Sequence, residues 1–551
     1  MPRIRPCTVA LIALSFILVS VVRAQRSAVD TYAITNARVV TVSGATIERG
    51  TVVIRNGLIT AVGGNVNAPP DARIIDGSGL TVYPGLIDSY TNLALPEAAP
   101  SPSPGGGGGG GFFAAQPRPS PSGPNSTEPA GLQPEVMVED VIRPGGNEIE
   151  SWRNIGITTA LTSPRTGVWM GQSALINLAG NTPQEMIVRS PVAMHVGFTP
   201  LRGGYPGSLM GVFAALRQMM LDAQRYRDSM QMYERSPRGM RRPELDRSLA
   251  ALVPVIEGRM PVVMLVNTER EITRALDLAA EFKLRLIIAG GREADRVADR
   301  LAKQNVPVLL SLNLPRRTTS ALPEADPEPM RVLRERVEAQ QTAAKLAKAG
   351  VRFAFESGSP ANISDLMVNV GHVVENGLSV TDALRAFTIW PATILGVENQ
   401  LGSIETGKIA NLTVTRGDLF DRNSRIVHVF IDGRPVELRP PAPGPTARNS
   451  LSGTWILTVN LGQGDKNATL NLQQEGERIS GSISGSLGAG EISNASTTTA
   501  GEIRFTAPLE IENQTKEATF VGTVAGDQIR GSVTVVGLAP GTFTANRARP
   551  N

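Results

Sequence analysis

The chain has one cysteine, Cys7, in 551 residues. A disulfide framework, a thiolate metal site and a cysteine nucleophile are therefore excluded from everything beyond its N-terminal stretch. Aromatic residues make up 4% of the chain, too few for stacking platforms that would read bases or sugars. Only three histidines are present, His195, His372 and His428, so a histidine-rich metal centre is excluded too. Beyond the N-terminus no run is long and apolar enough to span a bilayer. No Gly-x-Ser-x-Gly elbow occurs, and the glycine run Gly105–Gly111 is followed by no Lys-Ser/Thr, so it is not a phosphate loop.

The N-terminus reads as a secretory signal. Arg3 and Arg5 precede an apolar run from Val9 to Val22, and Val22-Arg23-Ala24 resembles a cleavage site. Cleavage after Ala24 removes Cys7 and three arginines, which lowers the formal charge from +4 to +1. The basic balance then argues for no nucleic-acid partner. The expectation is a periplasmic or secreted protein with no membrane span after cleavage.

Between residues 32 and 438 strands and helices alternate. Short strands and an Asn56-Gly57 hairpin signal fill 32–82, and a second β-rich stretch occupies 398–438. Between them lie Pro261–Val266, a helix through Ile272–Phe282, Leu284–Ala289, Val306–Leu312 and Val351–Phe355. This spacing predicts an α/β fold, a TIM-like (β/α)8 barrel over 83–397. The segment 96–134 is dominated by Pro, Gly, Ser and Ala and reads as a disordered insert on the barrel rim. Val212, Phe213, Leu216, Met219, Met220 and Ala223 recur at helical spacing and predict a packed helix. After a proline-rich linker the pattern turns to alternating strands, so 450–551 is expected to form a separate antiparallel β domain, barrel or sandwich. Its Gly453-Thr454-Trp455 start is similar to that of lipocalin-like domains.

Several motifs in order carry a more specific resemblance. Tyr83-Pro84-Gly85-Leu86-Ile87-Asp88-Ser89-Tyr90-Thr91-Asn92 resembles the first barrel strand of the amidohydrolase superfamily, in its imidazolonepropionase-like branch, where Pro-Gly-Leu-Ile-Asp-x-His-x-His is usual. Gly402-Ser403-Ile404-Glu405-Thr406-Gly407-Lys408 resembles its closing signature, and 32–82 with 398–438 resembles its composite β-sandwich.

The resemblance implies hydrolysis of C–N bonds by a bound zinc or other divalent ion, which activates water and polarises the substrate carbonyl. It also implies that the usual ligands are missing. The first-strand histidines correspond to Tyr90 and Asn92, later histidines to Leu265 and Ala289, and the last-strand aspartate to Gly358. Asp88 survives beside them. Glu356, Glu269 and His195 are the remaining titratable candidates, each with a structural alternative, since a general base needs a positioned partner. No cofactor is therefore expected. The expected function is a non-catalytic binding protein for a peptide or small amide, or a partner of an intact amidohydrolase homologue. A C–N hydrolase of divergent mechanism and a binding module centred on the C-terminal β domain are the alternatives. A buried Glu356 or Glu269 paired with His195 would favour the hydrolase.

Overall fold

The computed structural model describes residues 31–96, 129–201, 204–315, 329–358, 363, 365–421, 424–438 and most of 451–548. The expected signal segment 1–24 and the linker after Leu438 lie outside the described residues. So does most of the 96–134 insert. The chain divides into two compact units, one ending at Arg439 and one covering the C-terminal residues from Pro440.

Five strands open the first unit: β1 (Thr31–Val39), β2 (Ile47–Arg55), β3 (Leu58–Gly63), β4 (Arg73–Asp76) and β5 (Thr81–Pro84). Ten shorter ones follow: β6 (Leu86–Thr91), β7 (Ile157–Thr162), β8 (Trp169–Gln172), β9 (Ala174–Asn177), β10 (Ile187–Arg189), β11 (Met194–Gly197), β12 (Val262–Val266), β13 (Leu286–Gly290), β14 (Val308–Ser311) and β15 (Phe353–Glu356). The chain then returns through β16 (Leu412–Arg416), β17 (Arg425–Ile431) and β18 (Arg434–Val436).

The two ends of this unit share one eight-stranded sheet, ordered β18-β17-β16-β5-β1-β2-β3 with β4 beside β1. The join is the antiparallel pair β5–β16, with Leu412 opposite Pro84 and Val414 opposite Val82. Two hairpin tips meet at its edge. Asn56-Gly57 and Asp432-Gly433 both hold positive φ at both central residues, as a tight two-residue hairpin requires. A Cβ on Gly433 would stand 2.7 Å from the Gly57 Cα, so only glycine permits the approach.

The central strands form a TIM-like barrel. β11 to β15 run parallel in sequence order, and β6 pairs parallel with β7. Their sequences are nearly all apolar (VVMLV, LIIAG, VLLS, FAFE), as strands buried on both faces must be. Helices cover the outside. Among them Glu269–Phe282 begins with a capping box, Thr268 and Glu271 bonding each other's backbone N–H. Leu209–Arg235 buries Val212, Leu216, Met219, Met220 and Ala223 of the stripe read from the sequence, while Phe213 is only half-buried.

One position departs from eight parallel β/α units. The stretch Trp169–Asn177, broken only at Ser173, runs antiparallel to both neighbours: β8 pairs with β11 and β9 with β7. No helix separates β7 from β8, so the chain has no crossover with which to return parallel. A second correction concerns the insert. Its last residues are packed: Leu132 is buried, and Gln133 N donates to Trp169 O at 3.1 Å.

The second unit is a closed antiparallel barrel. Neighbouring strands along the chain pair, except that Gly488–Glu491 and Ser493–Thr497 both pair with Arg478–Gly485, and the first strand, Gly453–Asn460, pairs with the last, Gly541–Arg547. Inward residues alternate with polar outward ones, and Phe505, Phe520 and Phe543 pack together inside. Trp455 is fully buried. Its Nε1 donates to Leu451 O at 2.9 Å, and the Arg547 guanidinium lies 4.4 Å from its ring centroid.

Candidate active site

The C-terminal ends of β6, β7, β11, β14 and β15 converge, and side chains from them make one buried polar cluster. Glu356 ends β15 and is 2% exposed. Its Oε2 accepts from Gly358 N at 3.0 Å and stands 3.7 Å from Arg165 Nη2. Burial, outweighing Arg165, pushes its carboxyl up to about 7; Asp88 raises it further, while Ser311 and the Gly358 N–H oppose.

Arg165 follows β7 by three residues. Its guanidinium lies 4.7 Å from the Tyr90 ring centroid, and Nη2 donates to Tyr90 O at 3.1 Å. Tyr90 stacks on His195 with centroids 5.4 Å apart and planes at 22°. Burial and the nearby Arg165 charge hold His195 down to about 3, so its ring is neutral at any physiological pH.

Asp88 is fully buried and fully engaged. Its Oδ1 accepts from Ser357 N at 3.0 Å and from Tyr90 N at 3.4 Å, and its Oδ2 accepts from Trp152 Nε1 at 3.0 Å. Burial raises its carboxyl above the usual aspartate range. With Ser89 Oγ donating to Phe355 O at 2.7 Å, Asp88 closes the seam between β6 and β15, which share no backbone ladder. Its role is architectural.

The other sequence candidates fall as follows. Asn92 is exposed in the turn after β6, where its backbone carbonyl accepts from Leu95 N. Leu265 and Ala289 are cross-strand neighbours on β12 and β13, and they bring only hydrocarbon. Gly358 lies two residues past β15 at φ +67°, and a Cβ there would come within 2.9 Å of Ser311 Oγ. A carboxylate at that position would strain the turn. Glu269 is exposed at a helix start, where its N–H donates to Glu293. The pairing of Glu356 or Glu269 with His195 is not formed. Glu356 pairs with Arg165 instead, because His195 lies flat against Tyr90. His372 and His428 lie outside the cluster, on the helix Asp365–Glu375 and on β17. Arg165 and Ser163 were not singled out from the sequence. The one available signal is their place immediately after a barrel strand, on the face where such barrels carry function.

These residues do not fit a divalent ion. Among the described residues no three His, Cys, Asp or Glu side chains group as a ligand set. At the position that the resemblance assigns to the first-strand ligand, a guanidinium already sits on the Tyr90 ring and beside Glu356. A second cation there would meet repulsion and a single imidazole.

The amidohydrolase family model matches residues 293–436. A solved amidohydrolase from Thermotoga maritima MSB8 superposes with a TM-score of 0.62 at 26% identity, over 74% of this chain and 100% of that one. A 78-residue stretch, 14% of this chain, is 30% identical to N-acetylglucosamine-6-phosphate deacetylase of Haemophilus influenzae; it spans only 19% of that protein. With the first-strand and closing motifs, these likenesses make the chain similar to the amidohydrolase family in fold and, over residues 293–436, in sequence.

Proposed function

We propose that this protein is an exported, non-catalytic member of the superfamily that binds a peptide or small amide in its barrel mouth without a metal. The observation that carries the reading is Arg165. Its fixed positive charge lies against Tyr90 and Glu356, where the catalytic relatives' chemistry would call for a metal and its anionic or imidazole ligands. A barrel that keeps its frame but changes the charge at its mouth retains a place to bind while losing the means to activate water. Metal analysis of the purified mature protein after mild chelation tests this. The expected result is no stoichiometric zinc, manganese or iron and no dipeptide hydrolysis, with or without added metal. About one metal per chain, with hydrolysis restored by adding it back, overturns the proposal. Export is tested by sequencing the N-terminus of protein from the periplasmic or extracellular fraction, which should start at Gln25. Co-purification of an intact amidohydrolase from that fraction would add a partner role.

One observation favours a second reading, a hydrolase of divergent mechanism. Glu356 titrates near neutrality, as a general acid or base should. Against it, Glu356 is engaged by Arg165, Ser311 and the Gly358 N–H, and His195, which would serve as its partner, lies flat against Tyr90. Metal-free turnover of any dipeptide, lost in Glu356→Gln, would establish that reading.

A further inference from the structure

Around the cluster, four side chains have buried polar atoms with no well-formed hydrogen bond among the described residues: Tyr90 Oη, Ser163 Oγ, Arg165 Nε and both ring nitrogens of His195. One orphaned group in a folded protein is unremarkable. Several in one place are not, because each forfeits free energy when nothing replaces its water.

They share a chemical character. The Tyr90 and Ser163 hydroxyls lie side by side, and both can donate. Arg165 Nε–H donates only, and a neutral His195 has one N–H to give. Arg165 is also the member that reaches solvent: its side chain is 24% exposed while Glu356 beside it is 3% exposed. Donors converging on one fixed cation, open to solvent at that cation, make the reverse of a metal site.

We propose that this cluster is an anion site that takes the carboxylate of a small amide or peptide ligand, held by Arg165 with Tyr90, Ser163 and His195 as further donors. This deepens the binding function proposed above and rests on it. A monoanion is favoured over a phosphate. One guanidinium matches one carboxylate in charge and in planar geometry, whereas a dianion would leave a charge uncompensated beside Glu356. Glu356 does not cancel Arg165 entirely, since burial keeps it partly protonated near neutral pH; the other groups facing it are Asp88, Ser311 and the Gly358 N–H.

The test compares N-acetylglycine with its uncharged analogue N-acetylglycinamide, and with inorganic phosphate, by titration calorimetry on the full mature chain at pH 7. N-acetylglycine is expected to bind at least tenfold more tightly than the amide and than phosphate. Arg165→Gln should abolish that preference, and Tyr90→Phe, which removes one hydroxyl and keeps the ring stack, should weaken N-acetylglycine about threefold to tenfold. If Arg165→Gln fails to fold, Arg165→Lys and Tyr90→Phe carry the test, each expected to weaken N-acetylglycine and to leave the amide unaffected. Equal binding of acid and amide by the parent overturns the site, as does a preference that is unchanged in these variants. Tighter phosphate binding overturns the choice of ligand. The metal content of the same preparation is read separately. Metal-free protein that ignores the carboxylate sinks this inference alone, while one zinc per chain sinks the proposed function.

Discussion

Glu356 and His195 are both buried, and burial moves them in opposite directions, so their effects on stability oppose each other along the pH scale. Glu356 sits near 7 when folded and near 4.5 otherwise. The folded state therefore holds its proton longer, and the stabilisation present below about pH 4.5 is lost as pH rises through about 7. His195 sits near 3 when folded and near 6.5 otherwise, so its contribution is present above about 6.5 and lost as pH falls towards 3. Glu356→Gln should remove the first slope. Relative to the parent, its unfolding free energy from urea titration should gain between pH 5 and pH 8 by an amount on the order of 3 kcal/mol. A constant difference between the two proteins over that range would mean that Glu356 is not held protonated. Its candidacy was legible, because a carboxylate at the end of an apolar barrel strand has few places to go but the mouth. Its partner was not. Arg165 lies in Ser163-Pro164-Arg165, which carries no periodicity and no motif, and only the convergence of β7 with β6 and β15 brings it to Tyr90.

The sheet and the barrel of the first unit are joined by a buried amide network. Asn411 Nδ2 donates to Asn177 Oδ1 at 2.7 Å and to Thr159 Oγ1 at 3.0 Å, and its Oδ1 accepts from Asp432 N at 2.9 Å. Asn177 Nδ2 donates in turn to Asp432 Oδ1 at 2.7 Å. Asn411→Ala strips three partners at once, two of them fully buried, so it should cost about 2–4 kcal/mol in a urea titration. A loss below about 1 kcal/mol would show that water takes the amide's place. The network also explains why the antiparallel stretch Trp169–Asn177 is held firmly. β9 ends on Asn177, whose amide is the hinge of the whole set. No strand was read there from the sequence, and direction could not have been, since period-two patterning is the same read either way. The parallel run β11–β15 was easier, because continuous apolar strands separated by helices admit one arrangement in practice.

At the scale of the molecule the two compact units have separate cores, and nothing in the composition of one requires the other. The C-terminal strands were legible from their even spacing; that they close into a barrel rests on pairing the first strand with the last, a contact almost 100 residues apart that no local pattern encodes. That closure is secured at Arg547. Its guanidinium covers Trp455, Nη1 donates to Ser452 O at 2.8 Å and Nε donates to Asp527 Oδ1 at 3.0 Å. Arg547→Ala removes a cation–π contact and these hydrogen bonds together, about 2 kcal/mol. In a domain of roughly 100 residues each kcal/mol moves the midpoint by about 4–8 °C, so the barrel should melt roughly 8–16 °C lower. Calorimetry of the full chain is expected to show two transitions. Trp455 emission should follow one of them, and that one alone should shift in Arg547→Ala. The other, reported by Trp152 and Trp169, should keep its midpoint. A single transition that moves as a whole would mean that the units unfold together, and the carboxylate site at Arg165 would then depend on a barrel that contributes none of its residues.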